Sequence, residues 1–64
     1  MNTLSAKSEK DLQQLPQIGP ARAKKIIQEK PRDVYELSSI AGLSKKRMDV
    51  IISFLKDNDF KLEF

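Results

Sequence analysis

Apolar residues come in four short bursts at helical spacing, separated by polar stretches. Leu12 and Leu15 follow Ser8-Glu9-Lys10-Asp11. That order has the form of a helix start, because a serine hydroxyl accepts an orphan amide and acids suit the positive end of the macrodipole. A first helix is predicted from about Glu9 to Gln14, stopped by Pro16. Ala23, Ile26 and Ile27 form the i, i+3, i+4 stripe of a second helix, Pro20 to about Glu29, closed by Pro31. Asp33-Val34-Tyr35-Glu36 repeats the start signal at capping-box spacing, and predicts a third helix from about Val34 to Ser39 that turns Leu37, with Val34 or Tyr35, inward. Ser44 is a good cap for a fourth and longest helix, about Lys45 to Asp57, with Met48, Ile51, Ile52 and Leu55 on its inner side. Val50 and Phe54 fall on another side, where Phe60, Leu62 and Phe64 are expected to cover them. Left uncovered, they would form an apolar strip open to a partner. No strand pattern competes, so the expected class is all-α, with four to five short helices.

The pattern repeats. Shifted by 25 residues, Leu15 falls on Ile40, Ile18 on Leu43, Arg22 on Arg47, and Ile26-Ile27 on Ile51-Ile52, with Leu12 on Leu37 upstream. Hydrophobic spacing and charge placement recur together. Two copies are too few for a solenoid and suit a pseudo-symmetric pair in which each covers the other's apolar face. The expected organisation is a flexible start over residues 1–7, a domain over 8–57 built from units 8–29 and 33–57, and a tail over 58–64.

Sixty-four residues make one small domain. With no Cys and no His, disulfides and Cys/His zinc sites are excluded, and helix packing must supply the stability. No apolar run approaches a membrane span or a signal core, so the expectation is a cytoplasmic protein without a membrane partner. The net charge of +3 is unevenly spread. Residues 20–32 hold Arg22, Lys24, Lys25, Lys30 and Arg32 against Glu29 alone, and residues 44–47 hold Lys45, Lys46 and Arg47 with no acid. The rest of the chain is net acidic. A purely solvating surface mixes its signs, whereas this concentration has the form of a polyanion footprint.

The cations crowd the turns. In Leu15-Pro16-Gln17-Ile18-Gly19-Pro20, Gly19 suits a tight turn and Pro20 the first helical position. Arg22, Lys24 and Lys25 follow at once, against the usual dipole preference for acids there. A helix start already attracts anions through its unpaired amides, and a phosphate is the natural candidate. Lys30 and Arg32 read as solvated connector residues that could extend this patch.

The segment Leu-Pro-x-Ile-Gly-Pro-x-x-Ala-x-x-Ile resembles the helix-hairpin-helix motif, over residues 8–27. Residues 33–52 resemble a second, degenerate copy, and the two together look like the tandem helix-hairpin-helix domain. Within that family the chain looks most like the DNA-binding domain of the bacterial competence DNA receptor. The resemblance implies two pseudo-symmetric units whose hairpins offer backbone amides to phosphates on the minor-groove side of duplex or branched DNA, without reading base sequence. It implies as DNA-binding residues Gln17, Ile18, Gly19, Arg22, Lys24 and Lys25 in the first copy, and Gly42, Leu43, Ser44, Lys45, Lys46 and Arg47 in the second, with Ile18 and Leu43 as inward plugs that position each turn. The family hairpin runs Gly-hydrophobic-Gly. Here Gln17 replaces the first glycine of copy one and Ser44 the second of copy two, and each replacement costs about 1 kcal/mol if its position needs positive φ.

Catalysis has no support. The chain lacks His and Cys, and Glu9, Asp11, Asp33, Glu36 and Asp49 are scattered over caps and helix faces, not clustered as a metal-dependent nuclease requires. The reading is therefore sequence-nonspecific DNA binding, with no enzyme activity, no cofactor and no metal. The alternative is a protein-interaction or dimerisation module of the same fold, with a protein partner held through Phe54 and the tail.

Overall fold

Three side chains start three of the four helices as expected. Ser8, Asp33 and Ser44 accept the backbone amides of Asp11, Glu36 and Arg47 at 3.2, 2.9 and 3.3 Å. The computed structural model describes residues 2–64. In chain order it contains strand β1 (Asn2–Ser5), helices α1 (Glu9–Leu12), α2 (Pro20–Glu29), α3 (Val34–Ile40) and α4 (Lys45–Asp57), and strand β2 (Phe60–Glu63). Helix α1 is shorter than its sequence suggests. Past Leu12 the chain tightens into i→i+3 turns, Gln14 to Asp11 and Leu15 to Leu12, before Pro16 breaks it. The capping box at α3 is only half formed. Glu36 Oε1 accepts the amide of Arg32 at 3.3 Å, one residue before the cap, while Oε2 takes Arg32 Nε at 3.3 Å.

The class is not all-α. β1 and β2 form a parallel two-stranded sheet with Asn2 opposite Phe60 and Leu4 opposite Leu62. The pairing continues on either side, with the Asn2 amide donating to Asp59 at 3.1 Å and the Ala6 amide to Glu63 at 2.7 Å. The segments read as a loose start and a tail are therefore bound to each other. The physical reason is burial: Leu4 and Ala6 belong to the core, and Phe60 and Leu62 pack on it from the other strand. Met1, also expected to be loose, lies outside the described residues. The Asp11 carboxylate accepts the Ser5 amide at 2.9 Å and so ties the end of β1 to α1.

α1 packs on β1 and α2, α3 on α2 and α4, and α4 on β2. The largest fully buried side chains are Leu12, Ile26, Leu37 and Ile51. These are two pairs related by the 25-residue shift, so the core itself has the repeat. Ala23 and Met48 are a third such pair, both buried. Phe54 is half-buried, its ring stacked on Phe60 at 5.9 Å between centroids, so the tail covers part of it as expected. Val50 and Tyr35, by contrast, are exposed, and Val34 is the half-buried residue of its pair. Among the described residues no helix is long and apolar enough to cross a membrane.

Candidate nucleic-acid interface

The two turns are alike at the position that bends the chain. Gln17 has φ 71° and Gly42 φ 70°, and they are 25 residues apart. The second glycine position needs no such freedom. Gly19 (φ −96°, ψ −175°) and Ser44 (φ −69°, ψ 165°) are both extended and both serve as N-caps, so the serine in copy two carries no strain and the glutamine in copy one does.

The turns are closed differently. In copy two the Leu43 amide donates to Ser38 O at 2.9 Å and the Gly42 amide to Ser39 O at 3.1 Å. This pair of bonds around a left-handed glycine is the Schellman arrangement, which satisfies the last carbonyls of α3. In copy one the closing bond is from the Ile18 amide to Leu15 O at 3.3 Å. Ile18 is buried and Leu43 half-buried, so each turn is seated on the core by one apolar side chain.

Arg22 joins the two turns. Its Nε donates to Ala41 O at 3.0 Å and its Nη1 to Gln17 O at 3.3 Å. The guanidinium is half-buried and holds a carbonyl from each hairpin, so the structure uses this expected phosphate ligand as an internal clamp. Sequence spacing equates Arg22 with Arg47, but the clamp has no counterpart in the second copy, where Arg47 is exposed. Pro16 of the first turn also shares a hollow with Lys46 and Asp49 of α4. The two turns and the two helix starts that follow them are thus neighbours.

Lys24, Lys25, Lys45, Lys46 and Arg47 are exposed. Among the described residues none of the five is held in an ion pair. The α2 start has no side-chain cap, because Gly19 has no side chain to supply one, which leaves the Ala21 and Arg22 amides without that partner. At α4 the Ser44 hydroxyl takes the Arg47 amide. The remaining connector cations, Lys30 and Arg32, do not extend this surface. They line a separate cleft at the far end of α2, which is about 15 Å long.

Residues 2–30 match the family model described as the SAM-like helix-hairpin-helix tandem, which supports a helix-hairpin-helix domain. The match spans β1 and the first unit and ends before the second, whose likeness to the first rests on the repeat and on the positive φ shared by Gln17 and Gly42. No curated protein and no solved structure matches the chain.

Proposed function

We propose that this chain binds duplex or branched DNA from the minor-groove side, through phosphates and without strong base preference. The observation that carries the reading is the doubled turn. Gln17 and Gly42 share a left-handed φ, Arg22 clamps the two turns together, and five exposed cations follow them, none in an ion pair among the described residues. Helix-hairpin-helix domains commonly bind nucleic acid, and the first unit matches such a family model. The likeness to the DNA-binding domain of the competence DNA receptor belongs to this proposal, as does a cytoplasmic location. The role is binding without catalysis.

Uncapped amides at the α2 start and the amides of Lys45 and Lys46 position phosphates, while lysine and arginine side chains supply counterion release. With Arg22 withdrawn, the side chains that neutralise phosphates are Lys24 and Lys25 on one turn and Lys45, Lys46 and Arg47 on the other. Two phosphates per hairpin give a slope of about −3.6 for log affinity against log salt, and affinity on the order of micromolar or poorer at physiological salt. Anisotropy titration of a fluorescein-labelled duplex at about 50 and 200 mM salt tests this, with roughly a hundredfold loss expected across that range. A slope near zero would remove DNA binding from consideration.

A further inference from the structure

Lys30 and Arg32 have no part in the hairpin surface, and the cleft they line is built differently from it. Ala6, Ile27, Pro31 and Phe64 supply apolar walls, and Lys7, Lys30 and Arg32 stand with them around a space of about 600 Å³. Pro31 and Ala6 are buried and Ile27 half-buried, whereas Phe64 remains 36% exposed. A concave space of this size takes side chains of a peptide and not the convex surface of a duplex.

We propose that this cleft docks an acidic peptide segment of a protein partner. One large apolar side chain of the segment sits against Ile27, Pro31 and Phe64, and flanking carboxylates meet Lys7, Lys30 and Arg32. Charge complementarity selects this occupant. The apolar wall of Ile27, Pro31 and Phe64 takes up an apolar side chain, which a phosphate chain does not carry, and a second copy of this chain would bring the same three cations against themselves across a two-fold contact. Arg32 already accommodates a carboxylate, since Nε lies 3.3 Å from Glu36 Oε2, and that pair is exposed enough to be shared or exchanged. Lys30 ends α2 at φ 53°, a left-handed conformation that glycine takes without strain.

That conformation also makes Lys30→Gly a safe variant, because it removes the charge and suits the backbone. The cleft and the turns lie at opposite ends of α2, so this proposal and DNA binding fail separately. The test is a proton–nitrogen correlation NMR titration of the chain with three synthetic peptides of equal negative charge, carrying a central Trp, Leu or Ser. The Trp and Leu peptides are expected to shift the amides of Ile27, Lys30, Arg32 and Phe64, and the Ser peptide to bind far more weakly. Lys30→Gly with Arg32→Gln should weaken the Trp peptide about tenfold, as should Phe64→Ser, while Lys45→Ala with Lys46→Ala leaves it unchanged. The proposal is overturned if the shifts map to residues 17–25 and 42–47, or if all three peptides bind alike or none binds. It is equally overturned if the same amides shift with protein concentration alone, or with a DNA duplex.

Discussion

Ser38 brings its hydroxyl into the core, where it has no hydrogen-bond partner among the described residues. An unsatisfied buried hydroxyl costs about 1–3 kcal/mol, and removing it leaves a methyl group that needs no partner. Ser38→Ala is expected to stabilise the fold by about 1 kcal/mol, read as a higher urea midpoint at unchanged m-value. The two glycines separate space from conformation. A Cβ added at either meets nothing within 4 Å, but Gly42 has φ 70° and Gly19 does not. Gly42→Ala should therefore lose about 1 kcal/mol, and Gly19→Ala, free of backbone strain but a poorer N-cap, about half of that. Gln17→Gly should gain up to about 1 kcal/mol by relieving φ 71°, which in a domain this small is a rise in Tm of about 4–8 °C.

At the scale of elements, the helices could be read from the chain because their determinants are local. Each cap is one side chain and each stripe spans two turns, so α2 and α4 begin and end where Pro20, Pro31, Ser44 and the apolar spacing indicate. The sheet was harder to see. Its strands lie at opposite ends of the chain, and β1 contributes one apolar residue, Leu4, among Asn2, Thr3 and Ser5. The alternation Phe60-Lys61-Leu62-Glu63-Phe64 has the two-residue period of a strand, and was the available signal. The sheet is part of the single core and not an ornament on it. Leu4→Ala should cost about 2–3 kcal/mol in urea unfolding, a large share of the 3–10 kcal/mol expected for this length. A loss near zero would mean that residues 2–5 contribute nothing to the fold.

At the scale of the whole molecule, the repeat made the placement of two turns and two cationic helix starts legible, but it treated Arg22 and Arg47 as equals. Spacing cannot distinguish a side chain that reaches a neighbouring carbonyl from one that reaches solvent, because that depends on how the units dock. The clamp separates position from charge, and salt dependence can tell them apart. Lys45→Ala with Lys46→Ala leaves Arg47 alone to neutralise one of the two phosphates of that hairpin, so affinity falls and the log–log salt slope loses about 0.9. Arg22→Ala removes bonds to Ala41 O and Gln17 O that hold one turn beside the other. Those carbonyls lose a charged donor, so stability should drop by about 1.5–3 kcal/mol. DNA affinity should drop as well, because two turns that move independently no longer present their phosphate contacts as one preorganised set. Yet no phosphate-bound cation is removed, so the salt slope should stay at the parent value. Parallel titrations of the two variants at several salt concentrations, below their unfolding transitions, give the comparison. An Arg22→Ala slope that falls by about one unit would show that the guanidinium leaves the carbonyls to neutralise a phosphate.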